Sequence, residues 1–293
     1  MKTKLLTACV AAALLAGCGS DGKDPQQRVQ AFDGAIQGIA GTYTCTADGA
    51  TETGALPKTA YSGFSTVTTT VDSLLFSNPG SCTFTFNPTS GAVDVSNGKS
   101  MAEVSLTVPK GLAGNGSKIV ATPFSTLVAQ KLAEAGADEY NDSTAIEVLT
   151  GLGLGEVLQN VSPTDILTNL DQVVENLKKD QPELAATLTA TTHILTDVLV
   201  KKGDMDTARI ADVAKGLTSS VIKKNPNYPT SADGKLIVVD AKEAADELAK
   251  DESKKPEEVA DKVTEQPAKP VDSTQPPTGT GTGTGSGGGS TGD

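Results

Sequence analysis

The spacing of apolar residues changes twice along this chain, and each change marks a boundary. Through residues 28–109 apolar and polar positions alternate, the period of half-buried strands. Thr42-Tyr43-Thr44-Cys45-Thr46 alternates around β-formers, and residues 64–71 are rich in Thr and Val, as pleated half-buried surfaces tend to be. Cys82-Thr83-Phe84-Thr85-Phe86 sets Cys82, Phe84 and Phe86 on one face. The turn-rich residues 87–91 then lead into Ala92-Val93-Asp94-Val95, which reads as the second arm of a hairpin. Val104, Leu106 and Val108 continue the alternation until Pro109 ends it. Val29, Phe32, Ile36 and Ile39 fit a short helix as well as strands, and periodicity alone leaves both open.

Residues 111–118 (GLAGNGSK) read as a hinge, and after Thr122 the period becomes helical. Thr122 is placed to cap, Pro123 takes the first helical position, and Phe124, Leu127, Val128 and Leu132 form one stripe that Gly136 stops. Thr144-Ala145-Ile146-Glu147 has capping-box spacing and opens a short helix ending at Gly151. Ser162-Pro163 repeats the cap-plus-proline device ahead of Ile166, Leu170, Val173, Val174 and Leu177. Leu184, Leu188, Leu195, Val198 and Leu199 carry the next helix to Gly203, and Ile210, Val213, Leu217 and Val221 the last, which stops before Asn225-Pro226. Short connections predict antiparallel neighbours. Residues 235–239 read as one strand and 241–250 as a short exposed helix.

These elements predict an α+β protein. A small β-sandwich-like domain with a disulfide spans 28–121, and an antiparallel helical bundle spans 122–225. A strand/helix extension covers 226–250. A disordered tail is expected over 251–293, Pro/Glu/Lys-rich and then Gly/Thr/Ser-rich.

The amino-terminal residues have a different pattern. Lys2 and Lys4 precede an apolar run over residues 5–15, and Leu15-Ala16-Gly17-Cys18 closes it. A run of roughly 11 apolar residues behind positive charge is a secretory signal, too short to span a bilayer. Its end resembles the lipobox of bacterial lipoprotein precursors. That resemblance implies removal of residues 1–17, lipidation of Cys18, and a flexible tether over 18–27. Gly19, where an Asp would favour inner-membrane retention, implies the outer membrane.

Composition sharpens this picture. The net charge is −12, falling to −14 without Lys2 and Lys4, so an anionic nucleic acid is an unfavourable partner. With Cys9 in the signal and Cys18 lipidated, Cys45 and Cys82 remain. Export places them where disulfides persist, and a bridge is expected. The chain has no Trp and 3% aromatic residues, which argues against aromatic sugar or base-stacking platforms.

Candidate chemistry is sparse. His193 is the sole histidine. It lies off the Leu184/Leu188/Leu195 stripe, which predicts a solvated or capping role, and no G-x-S-x-G elbow accompanies it. No phosphate loop or H-E-x-x-H is present, so neither a cofactor nor a metal is implied. Asp138-Glu139-Tyr140-Asn141-Asp142 lacks the Gly and Glu of an EF-hand and reads as an acidic interhelical loop. Asp204 and Asp206 suit capping of the following helix.

A second resemblance covers roughly residues 29–200. Ala31-Phe32-Asp33-Gly34-Ala35-Ile36, Val93-Asp94-Val95-Ser96-Asn97-Gly98-Lys99, Val108-Pro109-Lys110-Gly111, Thr122-Pro123-Phe124-Ser125-Thr126-Leu127-Val128 and the Ala145 to Leu154 segment occur in order. The series resembles a module of large Gram-negative adhesin-like surface proteins. It departs at Ala35, where an aromatic is usual, and at Phe124, where Leu is. The resemblance implies a strand over residues 32–36 and carries no catalytic residues. The expected function is therefore non-enzymatic: an outer-membrane lipoprotein, structural or adhesive, binding an envelope or extracellular protein or polymer. The alternatives are a periplasm-facing accessory lipoprotein of an assembly or secretion machine, and a divergent Asp/Glu-dependent hydrolase.

Overall fold

The computed structural model describes residues 24–114 and 118–273; Cys18, the signal region, part of the 111–118 hinge and residues 274–293 lie outside them. The protein is mixed α+β, with eight helices and several small sheets among the described residues. The strands of the first half are β1 (Gln26–Ala31), β2 (Ile36–Gln37), β3 (Ala40–Ala47), β4 (Ala50–Leu56), β5 (Phe64–Thr68), β6 (Cys82–Asn87), β7 (Val93–Asp94), β8 (Leu106–Val108) and β9 (Ile119–Ala121). A single helical turn, α1 (Leu74–Ser77), follows β5 and is capped by the Ser73 side chain.

The alternating residues generate a four-stranded antiparallel sheet in the order β4-β3-β6-β8. Register sets Tyr43 opposite Phe84 and Cys45 opposite Cys82, so one face is Tyr43, Cys45, Cys82, Phe84, Phe86, Leu106 and Val108, all buried. Cys45 and Cys82 are bonded, with an S–S distance of 2.01 Å. A second sheet runs β5-β1-β9, with β1 antiparallel to β5 and parallel to β9. Residues 29–36 are therefore extended: β1 ends at Ala31, a Phe32–Ala35 bridge closes a tight turn, and β2 follows. The expected hairpin through residues 87–95 does not form. β6 pairs with β3 and β8, while β7 pairs with β2.

Parallel pairing of β9 beside β1 delivers Thr122 to the start of α2 (Pro123–Glu134). Thr122 and Ser125 form a reciprocal capping box, and Phe124, Leu127, Val128 and Leu132 are buried as the stripe requires. Next come α3 (Asp142–Gly151), α4 (Pro163–Thr168), α5 (Leu170–Asp180), α6 (Pro182–Lys201) and α7 (Thr207–Lys224). α3 starts earlier than expected because Asn141, not Thr144, is the cap: its side chain accepts from the Thr144 amide. Ser162 caps α4 and Asp206 caps α7 as expected. The stripe from Ile166 to Leu177 is broken at Asn169, which separates α4 from α5. None of the described helices is long and apolar enough to cross a membrane.

One continuous hydrophobic core joins the strands to the helices, from Val29 through Leu248 and Val259. α6 runs through it. Every residue from Ala190 to Val198 is buried, so this helix has no solvent face over that stretch. The Thr191, Thr192 and Thr196 hydroxyls bond back to the carbonyls four residues earlier, which leaves them satisfied without solvent.

The carboxy-terminal segment corrects the sequence reading. β10 (Ile237–Asp240) is followed by α8 (Lys242–Lys250), whose Ala244, Ala245 and Leu248 are buried. The helix expected to be exposed therefore packs by one face. Residues 251–273, expected to be disordered, form short helical turns and β11 (Thr264–Pro267), which pairs antiparallel with β10. Beyond β11 the chain is held by its main chain: Lys269 donates to the Asn97 carbonyl at 2.8 Å and Val271 to the Val95 carbonyl at 2.9 Å. It settles where side chains are missing. A Cβ on Gly98 would strike the Lys269 carbonyl, and one on Gly216 would strike Pro256.

Candidate functional site

The two sequence motifs Ala31-Phe32-Asp33-Gly34 and Asp94-Val95-Ser96-Asn97-Gly98-Lys99 meet in space. Asp94 lies at the end of β7, and the loop after it folds around its carboxylate. Ser96 donates to Asp94 Oδ1 from its main chain at 2.8 Å and from Oγ at 2.7 Å, and Asn97 Nδ2 donates to Oδ2 at 2.6 Å. The Asn97 side chain also accepts from the Lys99 amide at 2.8 Å, and Asp94 pairs its main chain with Lys99 and Gly98. Gly34, with φ of +68°, turns directly over this carboxylate; a Cβ there would meet Ser96 Oγ at 2.8 Å and the Asp94 oxygens. The short, polar Asp-x-Ser-Asn-Gly-Lys stretch thus builds an anion nest from its own donors. Burial still pushes Asp94 up to about 6, against the Ser96 and Asn97 hydrogen bonds and the Lys99 charge that pull it down.

The loop also aims Lys99 inward. Lys99 Nζ lies 2.6 Å from Asp197 Oδ2 on α6 and donates to the Val239 carbonyl of β10 at 2.8 Å. Asp197 Oδ2 further accepts the Ala241 amide at 2.8 Å, ahead of α8. Side-chain exposure is 8% for Lys99 and 0% for Asp197. Three chain segments, at Lys99, Asp197 and Val239–Ala241, therefore converge on one ion pair. Burial holds the Asp197 carboxyl above its usual range even with Lys99 against it, and its Oδ1 has no hydrogen-bond partner.

Asp33 completes the cluster. It is fully buried, and neither carboxyl oxygen has a hydrogen-bond partner. Burial, and then the neighbouring Asp94 charge, hold it well above the ordinary carboxylate range, with Lys99 and Thr196 opposing. Thr196 lies near enough to act electrostatically, yet its hydroxyl is committed to the Thr192 carbonyl at 3.1 Å. Burial thus disfavours the charged form of Asp33.

The structure corrects the reading of His193. It is 7% exposed, and it neither faces solvent nor caps a helix. Its Nδ1 lies 2.7 Å from Tyr228 Oη, ring edge to ring face. Burial, and then Lys99, push the imidazole down to about 3, against a hydrogen bond to the Asp33 main chain. A neutral ring with its proton on the Asp33 side must accept from the tyrosine at Nδ1. Burial raises the Tyr228 hydroxyl in turn, so it remains a donor.

The arrangement binds the β turns to α6 and to the carboxy-terminal segment, and its three carboxyl groups are buried inside the fold. A cleft of about 310 Å³ beside it is walled by Phe32, Gly34, Ser96, Leu170, His193 and Pro229 among others, with none of Asp33, Asp94 or Asp197. Among the described residues no three His, Cys, Asp or Glu side chains are grouped to hold a metal. Asp142, in the acidic loop, accepts instead from Tyr140 Oη at 2.7 Å and Thr164 Oγ1 at 3.2 Å, joining α3 to α4. Of the predicted site residues, Cys45 and Cys82 are brought together, and Cys18 lies outside the described residues. The cluster of Asp33, Asp94, Lys99, His193, Asp197 and Tyr228 was missed as a site. The only sequence signal was that two motifs of the second resemblance contain its acids and its lysine. No protein-family model matches the chain, and no similar curated protein or solved structure is found.

Proposed function

We propose that this chain is a lipid-anchored, non-enzymatic outer-membrane protein whose body serves as a rigid structural or adhesive module. The lipobox-like Leu15-Ala16-Gly17-Cys18 after a short apolar run supports the anchor. Since β1 begins at Gln26, the eight residues from Cys18 span at most roughly 26–29 Å when extended. That length would hold the body close to the membrane, where tethering raises the local concentration of weak binding partners. The β-sandwich-like half and the antiparallel helical half belong to this reading, as does kinship with adhesin-like surface modules. The single observation that supports the non-enzymatic role is that the buried acids Asp33, Asp94 and Asp197 lie inside the fold and none of them walls the cleft beside His193.

The test is metabolic labelling with a palmitate analogue in a bacterial host, comparing the native chain with Cys18→Ser. Label and membrane association on the native chain, and loss of both in the variant, are expected. An unlabelled native chain would overturn the anchor. Protease digestion of intact cells then separates surface display from the periplasm-facing alternative.

A further inference from the structure

We propose that Lys99 and Asp197 form an intramolecular amide bond, a covalent cross-link between the β7–β8 loop and α6. The geometry is that of a poised condensation. Lys99 Nζ lies 2.6 Å from Asp197 Oδ2, with side-chain exposure of 8% and 0%, so the two reacting groups are held together in a largely buried site. The Ala241 amide donates to Oδ2 at 2.8 Å, where it would stabilise the charge that develops on that oxygen as nitrogen attacks Cγ. Oδ1 is buried and has no partner, which leaves it free to depart.

The step balances without any co-reactant. Lys99 enters as an ammonium and Asp197 as a carboxylate. Nζ loses one proton, attacks Cγ, and loses a second as the tetrahedral centre collapses. Both protons leave with Oδ1 as one water. The product nitrogen keeps a single N–H, matched by the Val239 carbonyl at 2.8 Å, and the retained oxygen keeps the Ala241 amide. A desolvated charge pair is replaced by a neutral amide. Burial already disfavours the Asp197 charge, so removing the pair relieves a cost that the fold otherwise bears. Unlike the anchoring role proposed above, this bond requires only the folded body.

Peptide mass spectrometry of the full-length protein decides the matter. After disulfide reduction, trypsin should be blocked at Lys99, leaving residues 59–110 joined to residues 180–201 at a mass about 18 Da below their sum. Recovery of residues 59–99 and 180–201 as separate peptides from the native protein would overturn the proposal. Asp197→Ala, checked for native helix content by circular dichroism, should restore trypsin cleavage at Lys99. Cleavage still blocked at Lys99 in a folded Asp197→Ala chain would overturn the assignment of Asp197 as its partner.

Discussion

The disulfide-bonded sheet and the buried polar cluster both pin distant stretches of chain, and they do so from opposite ends of the folding equilibrium. Cys45 and Cys82 are direct neighbours across β3 and β6, 37 residues apart. Their bond acts largely by restricting the unfolded chain. Lys99 and Asp197 are 98 residues apart, and as an ion pair they act in the native state. There the loss of one partner strands the other's charge in an apolar interior. The sheet can lose its bond and keep its packing; the cluster cannot lose a member without leaving a buried group unpaired.

The largest expected effect follows directly. Lys99→Met should destabilise the protein by about 3–5 kcal/mol, because a buried Asp197 carboxyl loses its ion-pair partner; urea unfolding measures it, and a loss below that of the disulfide variant would break the comparison. Replacing Cys45 and Cys82 together by Ala should cost about 3 kcal/mol, appearing mainly in the unfolded-state response to denaturant. Ending the chain at Asp251 should cost about 2 kcal/mol or more, since it removes buried Val259 and the β11 pairing. An unchanged melting temperature would show that this segment contributes nothing to the cluster it covers.

The smallest effect is pH-dependent. His193 is neutral when folded down to about pH 3, whereas an unfolded histidine takes up a proton below about 6.5. Its depressed folded value therefore leaves stability intact above pH 6.5 and removes about 1.4 kcal/mol per unit as pH falls towards 3. Asp94, raised to about 6, has the opposite slope between 6 and 3.8: it gains stability as the medium is acidified. Comparing native protein with His193→Asn at pH 7.5 and 5 isolates the histidine. The native chain should lose about 2 kcal/mol relative to the variant over that span.

The difference between the two regions also governs what could be read beforehand. Phe84, Phe86 and Cys82 announce a buried face because apolar alternation has few other uses, and Thr122-Pro123 announces a helix start because capping chemistry is local. His193 was misplaced because the Leu stripe implied a one-sided helix, whereas α6 is enclosed all round. Asp33 and Asp197 carry no mark that separates a buried acid from a surface one. The segment after Asp251 reads as solvated because Glu, Lys and Pro dominate it. It is held largely by main-chain hydrogen bonds at Lys269, Val271 and β11, which composition does not encode. The hairpin through residues 87–95 failed for a related reason: β2 offered β7 a partner nearer the core.

Gly98 and Gly216 give the chain end its berth, since neither carries a methyl to hold off Lys269 or Pro256. An alanine at Gly98 would crowd Lys269 at a backbone φ of +79°, and one at Gly216 would crowd Pro256. Such single-methyl wedges would loosen the ribbon that carries Pro256 and Lys269 from the body that bears it.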